Sequence, residues 1–393
     1  DVPTDGFMAR YQIQSRFGQF EASGPGMLSV RINEIHALAA LDQIEDSEQF
    51  KEAASGAAKE TAGNLRQLVQ HPKETLEGVP QGVRRFFDRT SRSVKTGVQK
   101  LNDIRQDRVP GVETGSASHL PGAGDAPQSG PRPSLGEAVI GSGGAVAVNI
   151  LGFDKQRRLL ARELGVDPYT TNRVLADRLD QVTWGAFAGG LSIKVATSLI
   201  PGGTLIATSS TVTDWVWDTS PGDLRVQIEA RLLSAGASPD AVDRFLRHQW
   251  YTLSMQAVFA NAIAVLENVE GRAGAVEFAV GVNSFGQARF VVQTLEMLQH
   301  YHAETEPLAR LTEQGTLTGQ TRSGRTVVVA PVDHLSWNAV LSSFAAQLSA
   351  RGGPPPVIHV SGGMTDRASD ELAALGWDII KNSRLAPIGY PPR

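Results

Sequence analysis

VTWGAFAGGLSIKVATSLIPGGTLIATSSTVTDWVW, residues 182–217, is the stretch around which the rest of this chain is organised. It lies between Asp180 and Asp218, and its only charges are Lys194 and Asp214. Small side chains fill it, and these let helix backbones approach closely. Pro201 cannot continue a helix, and Gly202-Gly203 supply the backbone angles of a turn. The composition predicts two closely packed helices joined by a sharp turn inside a helical body. A membrane-dipping hairpin competes with that reading, because residues 195–213 form an uncharged run about as long as a bilayer span of roughly 20 residues. Thr197, Ser198, Thr204, Thr208 and Ser209 weigh against it, as does the mid-run proline, which leaves each half too short to cross. Trp215 and Trp217 suit either a core edge or an interfacial belt.

Outward from this stretch, residues 154–311 read as consecutive helices. Gly165 ends the first, and Asp167-Pro168 and Thr171 offer a start for the next, through residues 173–182. Ser220-Pro221-Gly222-Asp223 sets a capping serine, a first-turn proline and an acid in the order that opens a helix. Ser238-Pro239-Asp240 repeats the signal. Residues 253–269 are strongly apolar and expected to be central, and a long helix is expected over 284–311. The fold class expected is therefore mainly α.

Both flanks differ. Residues 11–23 alternate as a β-hairpin around Arg16-Phe17-Gly18. After Gly24-Pro25-Gly26 comes a helix whose expected apolar stripe is Leu28, Ile32, Ile35, Leu38, Ala39 and Leu41. A weaker helix is expected over 47–70 and a basic one over 82–107, where Arg84, Arg85, Arg89, Arg92 and Lys95 crowd one side. Residues 108–136, rich in proline, glycine and serine, read as a linker. At the other end, strands over 316–321 and 325–330 flank an Arg322-Ser323-Gly324 turn. Helix, strand, helix and strand follow to Ile380, which indicates a small α/β module. The division expected is an N-terminal hairpin with amphipathic helices (1–107), a linker (108–136), an all-α domain (137–312) and the α/β module (313–393).

The chain has 393 residues, a net charge of −4 and no cysteine. The last fact excludes disulfides, thiolate catalysis, iron–sulfur clusters and cysteine zinc sites at once. The mild net charge speaks against nucleic acid. Gly141-Ser142-Gly143-Gly144 lacks the Gly-Lys-Ser/Thr ending of a phosphate loop and misses the dinucleotide spacing, so no cofactor is expected. His300 and Glu304 would share a helix face while His302 points away, which supplies two metal ligands and not three; no metal site is expected. Asp333, His334 and Ser361 follow successive strands of the α/β module and are the candidates for a hydrolytic relay, without a G-x-S-x-G elbow. The loop Ser361-Gly362-Gly363-Met364-Thr365 is the candidate for binding a phosphate at a helix N-terminus.

Three segments carry a resemblance. Phe17-Gly18-Gln19-Phe20-Glu21 with Arg31-Ile32-Asn33-Glu34-Ile35, Gly165-Val166-Asp167-Pro168-Tyr169-Thr170-Thr171-Asn172, and Glu371-Leu372-Ala373-Ala374-Leu375-Gly376-Trp377 together resemble an uncharacterised family of exported proteobacterial proteins. The resemblance implies a signal peptide removed ahead of Asp1 and a periplasmic or secreted location; it implies no activity. The functional expectation is a non-enzymatic helical scaffold or binding protein. It would associate with an envelope membrane or an envelope protein through Arg84, Arg85, Arg89, Arg92 and Lys95. The alternatives are a hydrolase with its site near His334, and a subunit of a larger membrane-associated assembly or oligomer.

Overall fold

The computed structural model describes residues 3–52, 55, 145–188 and 210–383. The basic segment, the linker, the 141–144 glycines and residues 189–209 of the central stretch lie outside them. The described chain is mainly helical, with small sheets.

Strands β1 (Arg10–Ser15) and β2 (Gly18–Ser23) form the expected antiparallel hairpin, with Ser15 opposite Gly18. Alternation turns Phe20 and Ala22 inward. Helix α1 (Gly24–Asp46) follows directly, but its buried side is not the stripe expected from apolar residues alone. Ile32 is 42 % exposed, whereas Met27, Arg31, Glu34, Leu38 and Leu41 are buried. Their spacing of four, three, four and three residues is that of one helix face, and a charged pair sits in the middle of it. Helices α2 (Ala145–Glu163) and α3 (Arg173–Ala188) meet α1 in a core that includes Leu38, Leu41, Leu160, Leu164, Leu175 and Leu179. Gly165 ends α2 with a φ of +64°, and the Asn172 side chain accepts the Leu175 amide to start α3.

Of the central stretch, residues 182–188 are the last turns of α3, and 210–217 belong to α4 (Ser210–Asp218). Both tryptophans sit at a core edge. Trp215 donates to Gln227 at 2.6 Å beneath the Arg231 guanidinium, and Trp217 donates to the Val166 carbonyl at 3.4 Å. Among the described residues no helix is long and apolar enough to cross a membrane.

Helices α5 (Pro221–Ser234), α6 (Pro239–Leu246), α7 (Leu253–Val265), α8 (Arg272–Val280) and α9 (Phe285–Glu304) complete the helical body. Ser220 and Ser238 cap as their sequences indicate, accepting the Asp223 and Ala241 amides. Helix α7 is central: Ala257, Phe259, Ala260 and Ile263 are fully buried.

The long helix expected to reach residue 311 stops at Glu304. Thr305 and Glu306 both return their amides to the Tyr301 carbonyl, and Pro307 cannot continue the ladder. Leu308–Glu313 is instead strand β3, the edge of a five-stranded sheet in the order β3-β4-β5-β7-β9. The other strands are β4 (Leu317–Thr321), β5 (Thr326–Ala330), β7 (Val357–Val360) and β9 (Asp378–Ile380). The first two pairings are antiparallel and the last two parallel, the parallel strands being linked through α10 (Ala339–Ser349) and α11 (Asp366–Ala374). Strand β5 is apolar along its length because both faces are covered. Val327 and Val329 join the core of the helical body, while Val328 and Ala330 join a second core with Leu341, Ile358 and Leu372.

The chain start crosses the end of this sheet. The Phe7 carbonyl accepts the Asp333 and His334 amides at 3.1 and 3.3 Å, and the Gly6 carbonyl accepts Ser336. His334–Leu335 (β6) pairs in parallel with Gly363–Met364 (β8). Gly362 passes so close that a Cβ there would lie 1.9 Å from the Asp333 carbonyl oxygen. Gly362→Ala is therefore expected to lower stability by about 2–3 kcal/mol. Gly222→Ala, where a Cβ meets nothing, should be neutral; urea unfolding of the two variants checks the difference.

Candidate functional site

The residues nominated from sequence fall in three places. Arg84, Arg85, Arg89, Arg92 and Lys95 lie outside the described residues. His300 is half-buried and Glu304 exposed on α9, while His302 accepts the Leu308 amide at 3.0 Å as part of the helix–strand junction. No group of three or more His, Asp or Glu among the described residues is placed to hold a metal.

Asp333, His334 and Ser361 are neighbours in the fold, and the side chains of Asp333 and Ser361 are bonded structurally. The Asp333 carboxylate accepts the Ala9 amide at 2.6 Å and so holds the chain start. The Ser361 hydroxyl donates to the Val332 carbonyl at 2.9 Å and is buried. His334 is exposed, and among the described residues no hydrogen bond joins its ring to Asp333 or Ser361. The three do not make a relay. The strand order runs β3-β4-β5-β7-β9 without reversal, so this sheet lacks the switch point at which open α/β sheets place their ligands. In the 361–365 loop, the Gly363 and Thr365 amides donate to the Asp333 and Leu335 carbonyls, and the Thr365 hydroxyl accepts the Ala368 amide. These groups are not open to a phosphate.

A concave site lies elsewhere in the described residues. A pocket of about 230 Å³ opens between α1, the 165–171 loop, α4, α7 and α9. Helix α1 contributes Met27, Val30, Arg31 and Glu34; α4 contributes Val216 and Trp217; the start of α7 contributes Thr252, Ser254, Met255 and Val258. Helix α9 contributes Phe285, Arg289, Val292, Gln293 and Glu296, which recur at helical spacing on one face.

The rim on the α1 side is a closed hydrogen-bond network. Arg31 and Glu34, both buried, pair at 2.8 Å. The Glu34 carboxylate also accepts from Asn172 at 3.0 Å and from the Thr170 hydroxyl, and Arg31 donates to Thr171 at 3.2 Å. Asn33 donates to the Gly165 carbonyl at 2.7 Å. Residues 31–35 and 165–172 thus form a single unit. Asp167 accepts from the Ser254 hydroxyl at 2.6 Å and from the Tyr169 amide at 2.8 Å. Burial pushes its carboxyl above the ordinary range, against the pull of these bonds.

Glu296 is different. Among the described residues it makes no hydrogen bond and no ion pair, and burial alone pushes its pKa up to about 8. The pocket therefore combines apolar walls, a satisfied charged rim and one carboxyl without a partner among the described residues. None of these groups was nominated as a site residue from the sequence. The signal that could have found them is charge placed on a buried helix face: Arg31 and Glu34 at three-residue spacing, and Arg289, Gln293 and Glu296 among the apolar positions of α9.

The fold and the site define a mainly helical protein with an amphipathic pocket between its N-terminal helix and its helical body. Comparison with protein-family models, with curated proteins and with solved structures returns no match.

Glu296 gives a pH test. The folded protein retains its proton between about 4.5 and about 8, where the unfolded chain has lost it, so this group makes stability fall as pH rises through that window. Glu296→Gln, a neutral mimic at every pH, is expected to remove that fall and to be more stable than the parent at pH 8 by about 2–4 kcal/mol. Denaturant midpoints at pH 5 and pH 8 read the difference.

Proposed function

We propose that the protein is a helical binding protein that takes a small amphipathic molecule into the pocket between α1, α4, α7 and α9. The observation that carries this reading is the pocket's make-up. Such sites are mostly apolar, with a few placed polar groups that fix orientation, and here Met27, Val258, Phe285 and Val292 surround Glu296 and the Ser254–Asp167 pair. The volume of about 230 Å³ suits a small ligand or the end of a longer one. 1-Hexanol is expected to raise the melting temperature of the wild type, since a ligand that binds only the folded state stabilises it. Val258→Trp, which fills the pocket, should abolish the increment while still melting cooperatively. An equal increment in both proteins would remove this reading.

The setting proposed is the cell envelope, periplasmic or secreted. Attachment would be through Arg84, Arg85, Arg89, Arg92 and Lys95 to an anionic membrane surface. Support for this comes from the sequence: the basic segment, the absence of cysteine and the family resemblance. The full chain should co-sediment with vesicles containing anionic lipid and be released by salt, because attraction between exposed charges is screened. Changing Arg84, Arg85, Arg89 and Arg92 to glutamate should abolish sedimentation. If the wild type does not sediment, attachment is instead to an envelope protein or a larger membrane-associated assembly.

A further inference from the structure

The pocket's charges are unevenly spent. Arg31 is engaged by Glu34 and Thr171. Arg289 donates to the Ser23 carbonyl at the far end of the same α9 face. Asp167 is held by Ser254 and the Tyr169 amide. Helices α4 and α7 face the pocket with Val216, Trp217, Thr252, Ser254, Met255 and Val258, none of which is charged. Glu296 is left as a carboxyl with no hydrogen bond or ion pair among the described residues, one helical turn from Val292 on the same face. A carboxyl without a partner is a costly thing to keep in an apolar wall unless something of opposite charge meets it there.

We infer that the occupant is a small cationic amphiphile, a primary amine on a short hydrocarbon chain, with its ammonium on Glu296 and its chain against the valines and methionines of the pocket. The inference rests on the binding-protein reading and names its ligand class. An anionic ligand would find both arginines already committed and three carboxyl groups nearby. A neutral one would leave Glu296 protonated and gain no ion pair from it.

The binding step carries a proton. In the empty pocket Glu296 is protonated below about pH 8. An alkylammonium, charged well beyond that pH, pairs with the carboxylate, so the carboxyl proton is released to solvent as the ion pair forms. Affinity is therefore expected to rise as pH increases from 6 to 8, by up to about tenfold per pH unit, and to level off above.

The experiment is titration calorimetry of the full chain with n-hexylamine, 1-hexanol and hexanoate, at pH 6, 7 and 8 and in buffers of different ionisation enthalpy. Hexylamine should bind at least about tenfold more tightly than the other two at pH 8, with net proton release at pH 7. Glu296→Gln should retain 1-hexanol and lose both the preference for the amine and its pH dependence. Glu304→Gln, exposed two turns further along α9, should match the wild type. If 1-hexanol binds and hexylamine binds no better, or if Glu296→Gln keeps the preference, the cationic inference is overturned while the pocket reading stands. Tighter binding of hexanoate overturns it too. If none of the three binds the wild type, both readings fall.

Discussion

The rest of the structure depends on the buried pair between Arg31 and Glu34. Two charges taken out of water cost several kcal/mol each unless they meet each other and their remaining hydrogen-bonding capacity is filled. Here it is filled by Thr170, Thr171 and Asn172, which are distant in the chain from α1. The pair can be buried only when the 165–172 loop is in place, and that loop can be in place only when Gly165 has ended α2 and Asn172 has started α3. One electrostatic constraint thus fixes how the N-terminal helix docks on helices far along the sequence. Breaking such a pair on one side typically costs about 3–5 kcal/mol.

The pocket is a by-product of that docking. Helix α1 is held against the loop by polar bonds and against α2 and α3 by leucines, so its Met27–Val30 end meets α7 and α9 across a gap. The hairpin before α1 seals one flank, with its Ala22 in a small core together with Met27 of α1 and Phe285. A second fastening acts at the far end of the molecule, where Asp333 grips the Ala9 amide and Phe7 and Met8 lie on the core beneath the sheet. The chain start is therefore pinned both to the helical body and to the sheet. That is why Asp333, which looks like a catalytic acid from its position after a strand, acts as a tether.

Much of the fold was legible in local chemistry. The hairpin, the proline-opened helices at Ser220 and Ser238 and the glycine stop at Gly165 all depend on residues within a few positions of one another. Errors arose where the deciding partner was remote. The stop after Glu304 was marked locally by Pro307, which the expectation of a helix to 311 passed over, but that Leu308–Glu313 is a strand depends on the hydrogen bonds that β4 and the Glu270 backbone offer it. On α1 the expected stripe followed hydrophobicity and placed Ile32 inside, while the true face runs through Arg31 and Glu34. Hydrophobic periodicity has no means of marking a charge whose partner lies more than a hundred residues away.

The candidate site divides in the same way. By itself the sequence determined a mainly helical chain, the starts of its capped helices, and the exclusion of cysteine chemistry, because these follow from backbone preferences and composition. Only the tertiary structure decided that the polar residues at the strand ends are bonded to backbone rather than to one another. It alone decided that Glu296, unremarkable on a long helix, stands without a partner among the described residues in an apolar pocket. The physical reason is that a side chain's chemistry is set by what surrounds it, through desolvation and the partners within hydrogen-bond reach, and both are properties of packing between distant segments.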